Sequence, residues 1–283
     1  MQSRCDSFDS FLSQILIIVV LYELAPRDSA SFQSLDCFTL PEGSIFLYDN
    51  SANPQVIEDK RVIYRHDPNN SGVARAYNEG LRVAESRGKH WLFLLDQDTT
   101  FGLKLLKAYF DAIRNSPHNS VFVPIAKDDR GIVSPFRWMR GRGVRLKRFP
   151  STLSLDKFRF INSGAVISVE AFRRCGGYDE RFGLDFSDIV FGERLRKVSP
   201  SFVVVHTQVS HRFSGTERVE EEAALNRFRQ YCRGVVLYRS AFPRQTFLLL
   251  YAWLRAIKLS VKYRTSAFIR VVGSRRTINS HLQ

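Results

Sequence analysis

The chain has 283 residues, 44% of them hydrophobic and 25% charged, with 42 Lys+Arg against 28 Asp+Glu for a formal charge of +14. That composition excludes a disordered chain, and the length suffices for a sizeable core in one or two domains. The positive surplus points to an anionic partner: nucleic acid, a membrane surface or a phosphorylated ligand.

Apolar runs alternate with helical patterns along the chain, which predicts an α/β layered fold. The run Ile15–Tyr22 (ILIIVVLY) is too short for the roughly 18 residues a bilayer span needs. Asp6 and Asp9 offset Arg4, so it lacks the basic flank of a signal peptide, and its β-branched content predicts a buried parallel strand. Ser44–Tyr48 is a second strand, running into Asp49-Asn50-Ser51, and Val62–Arg65 a third. Ser71 is positioned to cap a helix with the apolar face Val73, Ala76, Tyr77, Leu81 and Ala84, ended by Gly88. His90–Leu95 is continuously apolar, so it should be a central strand covered on both sides. It ends in Asp96-Gln97-Asp98. A helix over Leu103–Ile113, a strand at Val121–Ile125, and a long irregular stretch at about 130–157 follow. That stretch carries Arg137, Arg140, Arg142, Arg145, Lys147 and Arg148, and reads either as a guide for an anionic acceptor or as a solvated loop. Phe158–Ser168 is strand-rich, Gly176-Gly177 makes a tight turn, and Ile189–Val198 is a helix stopped by Pro200. Phe202–His206 is the last strand, with His206 expected in the core.

Charge divides the chain at Glu222. Residues 223–283 hold 12 basic and no acidic residues, leaving 30 basic against 28 acidic in residues 1–222. The expected organisation is a nearly neutral globular body over 1–222 and a basic helical extension over 223–283. Two helices are predicted in it, over 223–240 and 243–262, with Pro243 at the start of the second. The apolar block Phe247–Leu254, with Tyr251 and Trp253, adjoins Arg255, Lys258 and Lys262. Such a helix suits the headgroup region of an anionic membrane; the alternative is a hairpin packing its apolar side on the body. Cys5, Cys37, Cys175 and Cys232 match no metal or redox spacing and fit reduced thiols of a cytoplasmic protein, peripheral on the inner face of the membrane. Interleaved aromatics and arginines would also permit nucleic-acid binding, but the neutral body carries no such module, so no nucleic-acid partner is expected.

Ligands of an open parallel sheet bind beyond the carboxyl ends of its strands, where Asp49, Asp96 and Asp98 fall. Residues i and i+2 of an extended chain share a side, so Asp96 and Asp98 either converge on a hard cation, Mn²⁺ or Mg²⁺, or cap a turn.

The stretch His66–Phe101 resembles the nucleotide-binding half of family 2 glycosyltransferases of GT-A fold, within them the bacterial rhamnosyltransferase-like branch. The matching features are Asn70 and Gly72 in an Asn-x-Gly turn, Asn78 in the helix, and an apolar strand ending in DQD-T. Phe160–Lys197 resembles the same branch through FINSGAVIS, then GGYDE, then Asp188 six residues before Arg194. The first strand departs from the pattern, ending in Tyr22-Glu23 rather than Tyr-Asn. The resemblance implies a Rossmann-like mixed or parallel sheet with helices on both faces, and an inverting sugar transfer. The donor would be a nucleotide-diphospho sugar, dTDP-L-rhamnose above others, and the acceptor a glycan or lipid-linked glycan. By the resemblance Asp188 is the general base, with Asp185 its rival. Asp98 and His211 bind the metal, and Asp96 the metal or the ribose. Tyr22, Asp49, Gly72 and Asn78 belong to the nucleotide-sugar site, Asp49 accepting from the base. A nucleotidyltransferase and a degenerate transferase are the competing enzyme readings.

Overall fold

A computed structural model describes residues 7–148, 150–183, 185–211, 220–243 and 247–274. In chain order its elements are α1 (Phe8–Gln14), β1 (Ile15–Leu21), α2 (Ala30–Leu35), β2 (Ile45–Asp49), β3 (Val62–His66), α3 (Val73–Ser86), β4 (Trp91–Asp96) and β5 (Thr99–Thr100). There follow α4 (Lys104–Asn115), β6 (Val121–Asp128), β7 (Gly131–Ser134), β8 (Phe136–Met139), β9 (Arg142–Arg145), β10 (Thr152–Ser154), β11 (Phe158–Arg159) and β12 (Val166–Ser168). The last are α5 (Val169–Arg174), α6 (Ser187–Leu195), β13 (Ser201–His211), α7 (Glu221–Ala241), α8 (Phe247–Tyr263) and α9 (Ala267–Gly273).

The main sheet runs β10-β13-β6-β12-β4-β1-β2-β3. β4, β1, β2 and β3 are mutually parallel, whereas β12 inserts antiparallel between β4 and β6. The mixed sheet explains the composition of β1 and β4. Every residue of β1 and all of β4 before Asp96 are buried, because helices cover both faces. Alternation sorts the side chains: Ile15, Ile17, Val19 and Leu21 join the core under α1, α2 and α4, while Leu16, Ile18 and Val20 join that under α3, α5 and α6. Gly80 lets α3 approach β1 closely, since a Cβ there would sit 2.3 Å from Ile18 Cδ1.

Four sequence expectations need correction. The stretch 130–157 is not irregular: it forms β7 to β10, with β8 pairing both β9 and β11 in a three-stranded sheet. Its strands are three or four residues long, too short to display a period of two. α3 starts from Gly72, φ 88°, rather than from a Ser71 side-chain cap; the Ser71 N–H donates instead to Asp67 Oδ2, 3.2 Å. His206 is exposed, because the β13–β6 register shifts between Val205 and Gln208 and turns it out of the strand's inward face. A third tail helix, α9, follows the two expected.

The tail lies on the body. Val235, Tyr238 and Leu248 pack with Phe182, Phe186, Ile189 and Val190, and the Trp138 ring meets the Tyr238 ring edge-on at 6.3 Å. No helix among the described residues is long and apolar enough to cross a membrane.

Candidate active site

The strand ends of β1, β2 and β4 open to one edge of the sheet, and the loop before α6 folds over them. At β4, the Asp96 N–H donates to Ser163 Oγ at 2.9 Å, and the Tyr77 hydroxyl donates to Asp96 Oδ1 at 2.8 Å. Full burial, then the charges of Asp96 and Asp98, push the Tyr77 phenol well above its ordinary pKa, so it stays a donor. The strand stops at Asp96, and Gln97-Asp98 form a turn, so the extended-chain argument for pairing Asp96 with Asp98 does not hold. The turn itself keeps both carboxylates near the Tyr77 phenol. Ser31 Oγ binds the Asp96 and Thr99 carbonyls, and Gln97 Oε1 accepts from the Tyr22 N–H at 2.8 Å. None of Tyr77, Ser163, Ser31 or Gln97 was a sequence candidate, because each lies far along the chain from the group it holds and no spacing signals it.

At β2, Asp49 is fully buried. Its carboxylate accepts from Tyr64 Oη (2.8 Å), Gln55 Nε2 (3.1 Å) and the Ser51 N–H (3.0 Å). Burial alone would raise it, but the hydrogen bonds from Ser51, Tyr64 and Gln55 outweigh that and hold it below the usual carboxylate range. Tyr22 is half exposed beside this strand end. Glu23, at φ 49°, spends its carboxylate on the Ala52 N–H, 2.9 Å. A Cβ on Gly72 would lie 3.4 Å from the Gly183 carbonyl, so the turn before α3 meets the loop before α6.

Asn78 is committed elsewhere. Its Oδ1 accepts from the Tyr178 N–H (2.8 Å), and its Nδ2 donates to the Tyr178 carbonyl (3.1 Å) and Glu180 Oε1 (2.8 Å). A Cβ on Gly177, φ 63°, would sit 2.5 Å from Asn78 Oδ1, so the second glycine of the GGYDE turn is what lets the two segments lock. Tyr178 then stacks on Phe191 of α6 at 4.0 Å and 7°, a contact of the kind that contributes about 1 kcal/mol. Arg194 closes the assembly with bonds to the Gly177 carbonyl (3.1 Å) and Asp179 Oδ2 (2.9 Å). The Asn78, GGYDE and Arg194 features are thereby one brace that sets the pitch of α6.

α6 carries Asp188 in its first turn. Burial pushes the Asp188 carboxyl up to about 6 against partial relief from the Ile189 and Asp188 N–H groups, with the charges of Asp96 and Asp185 adding to the rise. Asp185, three residues earlier, is committed to a two-armed pair with Arg227 of α7. Between them Phe186 adopts φ 68°, a strained value for a bulky residue, held by stacking on Tyr238 (5.3 Å) and Tyr231 (5.8 Å).

Asp96 and Asp98 offer the oxygen donors a hard divalent ion takes, and the donor chemistry fits Mn²⁺ or Mg²⁺. The backbone of His211 pairs with Thr99, next in the chain to Asp98; the His211 side chain and residues 212–219 lie outside the described residues. Among the described residues no three metal-ligating side chains converge, so an ion on the two carboxylates needs further ligands.

Residues 45–179 match the family model described as Glycosyl transferase family 2. No curated protein matches the chain. Three of the solved structures similar to it illustrate the likeness. GalNAc-T7 with UDP, GalNAc and Mn²⁺ has a TM-score of 0.56 at 14% identity, over 95% of this chain and 57% of that one. S. aureus TarS 1–349 has a TM-score of 0.51 at 15% identity, over 92% of this chain and 81% of that one. The mannosyltransferase PcManGT from Pyrobaculum calidifontis, in complex with GDP-Man and Mn²⁺, has a TM-score of 0.53 at 10% identity, over 95% and 88%. The chain thus spans little more than half of the GalNAc-T7 structure, and at these identities the likeness speaks to the fold. Sheet order and the solved structures give the chain a GT-A fold, and residues 45–179, just under half of it, resemble a glycosyl transferase family 2 domain.

Proposed function

We propose that the protein transfers a sugar, with inversion, from a nucleotide-diphospho sugar to a hydroxyl of a glycan acceptor. The observation that carries this is the half-buried Asp188 carboxyl, raised to about 6 by desolvation and by the charge of the strand-end carboxylate Asp96 among others. A base with that value is mostly ionised at pH 7 yet basic enough to take a proton in the transition state. Asp188 accepts the acceptor's hydroxyl proton as its oxygen attacks the anomeric carbon and the bond to the diphosphate oxygen breaks. Asp98, Asp96 and His211 are the residues that would hold Mn²⁺ or Mg²⁺. The ion supplies counter-charge for the diphosphate leaving group. Asp49, Tyr22 and Gly72 line the nucleotide side, with Asp49 pre-ordered by its three donors. Asn78 acts there through the GGYDE turn.

The first donor to test is dTDP-L-rhamnose, beside UDP- and GDP-sugars, which the neighbouring structures were solved with as nucleotide, sugar or both. Release of nucleotide diphosphate with Mn²⁺ or Mg²⁺ present is the assay. No release and no thermal shift with any of them overturns the reading.

The tail supports a site of action at the inner face of the cytoplasmic membrane and an acceptor carried on lipid. On α8, Phe247, Leu250, Leu254, Ile257 and Val261 recur three and four residues apart and are all exposed, whereas Leu248 is buried against the body and Ala256 against α7 and α9. Lys258 and Lys262 border that apolar stripe, and residues 223–283 have no acidic residue to repel an anionic surface. Each basic residue near such a surface contributes about 1 kcal/mol. Like charge disfavours a second copy of the chain as the occupant.

A further inference from the structure

Two clefts in the described surface are of similar size but differ in charge balance. One, of about 420 Å³, is walled by Asp156, Arg159, Glu193 and Arg196. Those charges already pair among themselves, Arg159 with Glu193 and Arg196 with Asp156 at 2.8 Å. The other, of about 390 Å³, lies beside the proposed base: Phe186 and Ile189, which bracket Asp188, form part of its lining. Trp138 and Arg142 reach it from the β8–β9 hairpin, Tyr231 from α7, and Tyr251 and Arg255 from α8.

Its one carboxylate, Asp185, is taken by Arg227. Neither Arg142 nor Arg255 has a carboxylate partner among the described residues. The Arg255 guanidinium is nonetheless held in place, 4.3 Å over the Tyr231 ring, which itself stacks on Phe186. The cleft, whose lining includes chain neighbours of Asp188, therefore offers aromatic walls and two guanidinium groups with no carboxylate partner among the described residues, Arg255 being steadied by the Tyr231 ring and side chain. Aromatic walls suit the apolar face of a sugar ring, and a guanidinium binds phosphate or carboxylate through two parallel hydrogen bonds. We infer that this cleft is the acceptor subsite, and that it takes a glycan acceptor bearing a phosphate or carboxylate close to the reacting hydroxyl. The inference rests on Asp188 being the base. It also gives part of the tail's charge a ligand: Tyr231, Tyr251 and Arg255 lie in the basic extension, beyond the family-matched residues 45–179.

The test is equilibrium binding to the full chain, followed by tryptophan fluorescence, since Trp138 is in the wall. The probes are methyl glucoside, glucuronic acid, glucose 1-phosphate and geranyl diphosphate. The nucleotide site is first filled with whichever of dTDP, UDP or GDP shifts the melting temperature. If none does, the glycosyl-transfer reading fails on that result, and the probes are titrated without nucleotide. At least one anionic probe is expected to bind about tenfold or more tightly than methyl glucoside. Arg142→Gln with Arg255→Gln should bring that ratio to about twofold, and the paired lysine variant, which keeps the charge but loses the two-armed fork and the stacking, should retain only part of the preference. Geranyl diphosphate binding tightest identifies a lipid diphosphate as the anion; glucuronic acid or glucose 1-phosphate binding tightest identifies a charged sugar. A ratio near one in the unmodified chain, or a preference that survives the double glutamine change, overturns the inference. If the double variant melts early, R142Q alone serves, since Arg142 is exposed, and it should remove several-fold of the preference.

Discussion

Replacing Asp188 by Asn tests the site through two opposite effects. The carboxyl titrates at about 6 in the folded chain against an ordinary 3.8, chiefly because it is buried. At pH 7 that difference costs the fold about 3 kcal/mol, at 1.36 kcal/mol for each pH unit. The sign follows from proton counting: between 3.8 and 6 the folded state holds the proton and the unfolded state releases it. The cost is therefore absent below 3.8, grows through that window and is complete above about 6. Asparagine keeps an oxygen for the Ile189 N–H, now 3.0 Å from Asp188 Oδ1, but an imperfectly paired buried amide costs about 1–2 kcal/mol. Asp188→Asn should then be more stable than the parent by about 1–2 kcal/mol at pH 7, with the advantage gone near pH 4. Turnover should fall by about 10²–10⁴, the usual loss when a general base is removed. Denaturant melts at pH 4, 5.5 and 7 and nucleotide-diphosphate release measure the two effects. A variant less stable than the parent at pH 7 refutes the buried-carboxylate argument, and near-normal turnover refutes the role.

Four further outcomes are expected. In the parent, kcat/KM should drop on the acid side below about 6 as Asp188 takes a proton; a flat profile down to pH 5 contradicts it. Gly80→Ala gains up to about 1 kcal/mol of helix propensity, but a methyl 2.3 Å from Ile18 Cδ1 overpacks the α3–β1 contact. Because overpacking costs about 1–3 kcal/mol, urea melts should show net loss, and a gain would mean that the contact yields. Gly234→Ala places a methyl 2.9 Å from the Phe186 ring; it should lower turnover more than donor affinity, since it shifts the loop that carries Asp188, and equal effects on both would argue against that coupling. Leu254→Ser with Ile257→Ser should abolish flotation with vesicles of phosphatidylglycerol and phosphatidylcholine while leaving the chain's oligomeric state unchanged. Flotation that persists, or a dimer that the double change dissolves, assigns the stripe to another occupant.

The core of the sheet was legible in the sequence because its strands are buried on both faces. β1, β2, β3 and β4 begin and end within a residue or two of their apolar runs, and α3 and α4 follow their amphipathic spacing. The glycines at 176 and 177 announced a turn that only they accommodate, at φ 78° and 63°. The strands of 130–157 were not legible: strands of three or four residues owe their form to partners such as β6 and β11 rather than to any local pattern. His206 shows the same limit, since a bulge depends on the neighbouring strand's register.

Local sequence therefore determined which residues carry charge and chemistry: Asp49 and Asp96 at strand ends, Asp188 before a helix, twelve basic residues in the tail. Tertiary structure decided which of them remain available. It tied Asn78 to the GGYDE turn and Asp185 to Arg227. It buried Asp188, and it split α8 into a stripe facing outward and a Tyr251–Arg255 edge facing the cleft. The physical reason is that a side chain's type is local, whereas its desolvation and its hydrogen-bond partners come from segments up to a hundred residues away.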